Sequence, residues 1–192
     1  MKVSREQAAA NRERIVDVAC RLFRQRGFDG VGVVDLMQEA GLTHGGFYGH
    51  FASKEDLMAQ ACERALAAAV ARWGKLSGHA DGKPLVAITR HYLSPRHRDD
   101  PGSGCVVAAL GADAPRHGAG VRHAITTGVR SLLEVLARAV PGRTRPARRK
   151  AALTAFAGMV GALVLARAVD DAELSEEILK AVSASIEATA VH

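Results

Sequence analysis

The sequence predicts an all-α fold, and three observations carry that prediction. Long alanine-rich segments run with few of the β-branched alternations that mark strands. Aromatic residues are scarce, at five Phe, two Tyr and one Trp in 192 residues. Glycine, proline and capping residues punctuate the chain at distances that start and stop helices. There is no internal repeat.

The first helix is expected over about Glu6–Arg26. Ile15, Val18, Ala19, Leu22 and Phe23 fall on one helical face, Arg24 and Arg26 occupy the last turn, and Gly27 follows as a residue able to take positive φ. After the glycine-rich connector Phe28–Gly32, a short helix runs from Val33 or Val34 to Ala40, with Leu36, Met37 and Ala40 inward and Gly41 as its stop. Thr43 is positioned to N-cap a very short helix ending near His50. Ser53–Asp56 resembles a capping box with Asp in place of Glu, opening a helix to about Leu76. The Gly-, His- and Asp-containing stretch from Ser77 to Pro84 reads as a boundary between domains. A helix follows over Pro84–Leu93, then the segment Ser94–Gly104, too polar and proline-rich to be helical throughout. Further helices are expected over Cys105–Ala112, Gly118–Val140, Arg145–Val169 and Glu173–Ala190. The last two carry Leu153, Phe156, Ala157, Val160, Leu163 and Val164, then Leu174, Ile178, Val182 and Ile186, an apolar surface wider than one neighbour covers. That width predicts an intermolecular four-helix bundle and hence a homodimer through the last two helices.

Composition narrows the function. Twenty-six Lys and Arg against 20 Asp and Glu give a net charge of +6, which favours polyanionic partners without proving one. No window approaches the roughly 20 continuous apolar residues of a bilayer span. The polar N-terminus has no signal-peptide pattern, so no membrane association is expected and the location is cytoplasmic. Cys20, Cys62 and Cys105 are odd in number and widely spaced, against a disulfide framework or a structural zinc site. No phosphate loop, HExxH, nucleophile elbow or dinucleotide fingerprint is present, so no enzyme, cofactor or metal is expected. His91, His97, His117 and His123 lack metal-ligand spacing with paired carboxylates.

The segment from Ala40 to Leu57, AGLTHGGFYGHFASKEDL, carries the function. It reads as a helix stop, a tight turn, a short helix bearing Tyr and His, and a freshly capped long helix. That order suits a helix-turn-helix whose second helix enters a DNA groove. Thr43 opens the short helix, Gly45 and Gly46 let backbone approach a duplex, Tyr48 and His50 reach phosphates, and Lys54 adds a cation. Phe47 and Phe51 are core residues that pin the short helix. The plainer alternatives are a helical joint in an interaction module, or an enzyme, without DNA binding.

These residues, with Gly27–Phe28 and Leu36 upstream, closely resemble the signature of the tetracycline-repressor (TetR) family over about the first 60 residues. The resemblance implies a three-helix DNA-binding domain over residues 1–54 and a helical effector-binding and dimerisation domain over 55–192. It implies a regulator, most often a repressor, that binds a pseudo-palindromic operator in double-stranded DNA and is released by a small molecule. Thr43, Gly45, Tyr48, His50 and Lys54 match DNA-contacting positions, while His44 and Gly46 fall where base-reading side chains vary. His44 is the main candidate for sequence readout. One departure stands out: the second helix often begins with Thr or Ser, but here the run is Val31-Gly32-Val33-Val34, and Gly32 is expected to offer a backbone N–H to phosphate instead.

The effector is less legible. Trp73, His91, Tyr92 and Phe156 are the principal pocket candidates, with Leu76, Ile88, Val106, Leu110, Val121, Ile125 and Met159 around them. Cys105 follows Ser103-Gly104 at a helix start, with Arg96, His97 and Arg98 upstream, an arrangement that favours a thiolate. The pattern around it resembles a TetR branch containing electrophile- and oxidant-responsive repressors, so Cys105 is a candidate sensing residue and an electrophile a candidate effector. Cys20 and Cys62 sit among apolar neighbours and read as packing residues.

Overall fold

The computed structural model describes residues 4–80 and 82–190, and every regular element in them is helical. The α-helices are α1 (Arg5–Arg26), α2 (Val33–Glu39), α3 (Lys54–Gly78), α4 (Pro84–Tyr92), α5 (Pro95–Asp99), α6 (Val106–Leu110), α7 (Ala119–Ala139), α8 (Arg145–Ala168) and α9 (Ala172–Thr189). Three 3-10 helices cover His44–Gly49, Pro101–Ser103 and Ala114–Arg116. The chain forms two compact units, Met1–Leu66 with Pro101–Thr126, and Ala67–Asp100 with Thr127–His192. Ser77–Pro84 therefore lies inside the second unit and separates α3 from α4.

Local chemistry sets the ends of these helices. Ser4 Oγ accepts from the Gln7 amide at 3.1 Å to open α1, and Gly27, at φ 75°, donates its N–H to the Phe23 carbonyl to close it. In the first unit α1 buries Ile15, Val16, Ala19, Cys20, Leu22 and Phe23. Val18, expected inward, is only half-buried. Phe28, Leu36, Met37, Phe47, Phe51, Leu57 and Leu66 complete this core. Arg64 clamps α3 to α1 through Asp17, at 2.8 Å, and Glu13. The segment after Asp100 belongs to the same unit: Arg24 Nε donates to the Gly102 carbonyl at 2.8 Å, and the Gly118 amide donates to Glu55 Oε1 at 3.2 Å.

The stretch Ser94–Gly104 is more helical than its composition suggests. Pro95 opens α5 with Ser94 as N-cap, and Pro101 opens a 3-10 turn. A proline at the first position of a helix loses no hydrogen bond, because that N–H has no helical partner. In the second unit α8 packs on α9, α4 on α9, and α5 on α8. Thr144 caps α8 by accepting from Ala147 N, and Asp171 caps α9 by accepting from Glu173 and Leu174 N.

α8 corrects the expectation that no segment is apolar enough to span a bilayer: by length and composition this helix could. Its apolarity has two faces instead. Ala152, Ala155, Phe156, Met159, Ala162, Leu163 and Ala166 are buried, while Leu153, Val164 and Leu165 are exposed, Leu165 to 56%.

Candidate nucleic-acid interface

The His44–Gly49 helix is held from below and bare above. Phe47 is fully buried and Phe51 nearly so, their ring centroids 5.5 Å apart. The Arg12 guanidinium lies 5.1 Å over the Phe51 ring and donates to Gln60, whose amide donates to Asp56 Oδ1 at 2.7 Å. Asp56 in turn accepts from Ala52 N at 3.2 Å, and its own N–H donates to Ser53 Oγ at 3.1 Å. The capping box therefore forms, with its return bond one residue earlier than the usual N-cap amide. This chain of contacts fixes the short helix between α1 and the start of α3.

On the outer side Thr43, His44, Gly45 and Tyr48 are exposed, and Gly46, His50 and Lys54 are half-buried. Tyr48 is 70% exposed and packs edge-on with Phe47, centroids 5.2 Å apart. The seven residues singled out in the sequence thus all keep exposed surface along one short stretch, the ridge from Thr43 to Lys54. A Cβ added at Gly45 or Gly49 would meet nothing within 4 Å, so packing inside the chain does not require glycine there. At Gly46 a Cβ would reach Met37 Cε at 3.6 Å, ordinary contact. Thr43 is corrected in one respect: its hydroxyl makes no cap bond, and its carbonyl accepts from Gly46 N at 3.0 Å instead.

The profile of the bacterial regulatory proteins of the tetR family matches residues 15–61, the span from the core face of α1 through the ridge into α3. The transcriptional repressor NemR of Escherichia coli is 30% identical over 132 residues, 67% of this chain and 66% of its own length. The chain belongs to the TetR family. The crystal structure of reduced E. coli NemR superposes with a TM-score of 0.79 at 25% identity, covering 92% of this chain and 95% of that one. A TetR-family regulator from Agrobacterium tumefaciens shares the fold, with a TM-score of 0.77 at 23% identity over 93% of this chain and 98% of its own. The HTH-type regulator YerO of Bacillus subtilis is 30% identical over 88 residues, 46% of this chain. The chain spans only 30% of YerO and just under two thirds of NemR.

Within this TetR fold the start of α2 departs from the expectation set by sequence. Gly32 N–H donates to Asp35 Oδ2 at 2.9 Å, so it is committed to capping the start of α2 and is not held out for a phosphate. Val34, one position into α2, is 57% exposed.

The residues proposed for sensing divide between the two units. Trp73, Tyr92 and Phe156 are buried together in the second, with Trp73 edge-on to Tyr92 at 5.9 Å and to Phe156 at 6.0 Å between centroids. Thr89 is fully buried, and among the described residues its hydroxyl has no hydrogen-bond partner. His91 is on the exposed side of α4. Of the outer group, Ile88 and Met159 are buried in the second unit and Leu76 is half-buried there. Val106, Leu110, Val121 and Ile125 belong to the first.

Cys105 belongs to the first unit too, N-terminal to α6 and 7% exposed. Two of the residues upstream of it, Arg98 and His97, have partners of their own in the second unit. Arg98 pairs with Asp99 at 2.7 Å and donates to Ser175 Oγ at 3.1 Å. His97 is held neutral, burial pushing its pKa down to about 4 with the nearby Arg167 adding to the shift, while Nδ1–H donates to the Tyr92 carbonyl at 2.6 Å. Burial raises both other thiols, Cys62 to about 12, and Cys20 Sγ donates to the Ala61 carbonyl at 3.2 Å. All three cysteines are buried. Among the described residues no group of three or more His, Cys, Asp or Glu could hold a metal ion.

Proposed function

We propose that this protein is a DNA-binding transcriptional repressor that works as a homodimer on a pseudo-palindromic operator. One observation carries the reading: around a 3-10 helix pinned by the buried Phe47 and Phe51, Thr43, His44, Gly45, Gly46, Tyr48, His50 and Lys54 all keep exposed surface, and the chain itself does not need the glycines among them. Bare glycine backbone flanked by hydroxyl, imidazole and ammonium groups matches what a phosphate backbone and a groove edge require. In this reading residues 1–54 bind DNA, and residues 55–192 dimerise and sense the effector. Tyr48, His50, Thr43 and Lys54 take the phosphates, and His44 reads a base edge.

The exposed Leu153, Val164 and Leu165 of α8 and Leu174 of α9 support dimerisation through these two helices. Between them runs an apolar groove of about 690 Å³ lined by Thr154, Gly158, Val182 and Ile186 among others. The dimer fixes the distance between its two ridges, and an effector releases DNA by favouring a spacing that misses successive grooves. The aromatic cluster of Trp73, Tyr92 and Phe156 is our site for a small apolar effector, with His91 at its margin. The likeness to NemR and the position of Cys105 support a second trigger, modification of that thiol by an electrophile or oxidant. At 7% exposure, Cys105 reacts only through an opening of its segment. Such a repressor acts in the cytoplasm, where its DNA is.

Selection of binding sites from random duplex DNA tests the reading. The expected result is a two-fold symmetric motif bound more weakly as salt rises, because each phosphate contact releases counterions. Failure to enrich any motif, with the protein dimeric and folded, would return it to a helical interaction module. For Cys105, release of the selected operator by N-ethylmaleimide is expected for the parent protein and not for Cys105→Ser. Equal release of both would remove the thiol from the mechanism.

A further inference from the structure

The proposed DNA-binding ridge leaves a strongly charged feature of the second unit unused. The end of α7 and the start of α8 bound a groove of about 740 Å³ whose walls carry Arg130, Glu134, Arg138, Arg145, Arg148 and Arg149. Arg130, Glu134 and Arg138 repeat every four residues and so form one stripe on α7, while Arg145, Arg148 and Arg149 share a face of α8. Five cations thus meet one carboxylate. Arginine does not relieve such crowding by losing its proton. Nor do neighbours relieve it: among the described residues none of the five is in an ion pair, and Glu134 pairs with neither Arg130 nor Arg138. Arg148 is anchored, donating to the Gly142 carbonyl at 3.0 Å. The positive end of the 24-residue α8 adds to the same field. From Arg138 to Lys150 the chain has six basic residues and no acidic one.

We propose that this groove binds a small anion carrying several phosphates. Guanidinium forks pair with phosphate oxygens two at a time, and two facing arginine stripes suit a chain of linked phosphates better than a single one. The volume is that of a small-ligand pocket, which favours a compact polyphosphate over a length of duplex. An inorganic polyphosphate and a nucleoside triphosphate share this chemistry. The site stands independently of whether the Thr43–Lys54 ridge binds DNA.

The test is calorimetric titration of the full-length protein with tripolyphosphate and with ATP at constant ionic strength, beside a non-operator duplex. The parent protein is expected to bind one anion per chain in this groove. Arg145→Gln/Arg149→Gln and Arg130→Gln/Arg138→Gln, altered on different helices at exposed positions, are each expected to weaken binding at least tenfold without lowering the melting temperature. Tighter binding of ATP would assign the groove to a nucleotide, and equal binding to an inorganic chain; both support the site. No binding by the parent protein overturns the proposal, as does unchanged affinity in both variants. Loss of duplex affinity in the variants, with neither phosphate bound by the parent, overturns it in favour of a nucleic-acid track.

Discussion

Replacing Tyr48 by Ala separates contact with DNA from contact within the fold. Tyr48 is 70% exposed, and its ring meets the edge of Phe47. An exposed substitution of this kind costs at most about 0.5 kcal/mol. For a chain of 192 residues that lowers the melting temperature by no more than about 2 °C. The DNA side weighs far more. A hydroxyl donating to a charged phosphate oxygen contributes about 1.5–3 kcal/mol. Two half-sites double this to about 3–6 kcal/mol, a weakening of more than a hundredfold, since about 1.4 kcal/mol is a factor of ten. Phe47→Ala is the counterpart: it empties a fully buried position and is expected to cost about 3–5 kcal/mol of stability. Fluorescence anisotropy with the selected operator, beside thermal unfolding and light scattering, reads all three quantities. The assignment fails if Tyr48→Ala, still dimeric, binds within threefold of the parent protein. It fails equally if the melting temperature falls by more than about 5 °C, because Tyr48 would then be a structural residue.

Lys54→Gln should flatten the dependence of log K on log salt by about 2 for the dimer, close to 0.9 for each lost phosphate contact; an unchanged slope would place Lys54 off the backbone. Gly45→Ala is expected to leave thermal stability unchanged or slightly raised, because its Cβ meets nothing, while operator affinity falls. Unchanged affinity would mean that no close approach occurs there. Leu165→Glu, on the exposed face of α8, should yield a folded monomer by light scattering; a dimer of parental strength would move the interface elsewhere. His97 has its pKa depressed from 6.5 to about 4, so below pH 6.5 the unfolded chain takes up a proton that the folded chain refuses. Stability is full above that pH and falls by up to about 3 kcal/mol as pH drops toward 4. Urea unfolding of His97→Gln beside the parent protein should show the gap between them narrowing over that range, and a constant gap would contradict the buried neutral imidazole.

Much of the architecture was legible because helix ends are written locally. Ser4, Gly27, Gly41 and the Ser53–Asp56 box are each decided by a few consecutive residues. The errors came where one residue had two plausible partners. Gly32 N–H faced a choice between an external phosphate and the Asp35 carboxylate three residues on, and the intramolecular partner, always present at 2.9 Å, holds it. Thr43 looked like a cap, but its backbone carbonyl closes the turn and leaves the hydroxyl outside. Around Pro95 and Pro101, a polar, proline-rich composition suggests a loop, but at the first position proline begins a helix.

The same distinction explains why the candidate DNA interface is readable and the candidate effector site is not. Every member of the ridge lies within the twelve positions from Thr43 to Lys54, so sequence order is already spatial order. The aromatic cluster takes Trp73 from α3, Tyr92 from α4 and Phe156 from α8. Its ring geometry depends on how three helices pack, which no local pattern encodes. At Cys105 the local pattern places cations beside a thiol, while in the structure Arg98 pairs with Asp99 and donates to Ser175, and His97 is uncharged. A sensing role for Cys105 must therefore draw its reactivity from motion that exposes it. A repressor that releases DNA by moving the segment after Asp100 would need that same motion, because Arg24 and Glu55 fasten the segment to the DNA-binding helices through Gly102 and Gly118. If Cys105 does sense electrophiles, its reaction rate should fall when operator DNA is bound, since the duplex favours the fastened state.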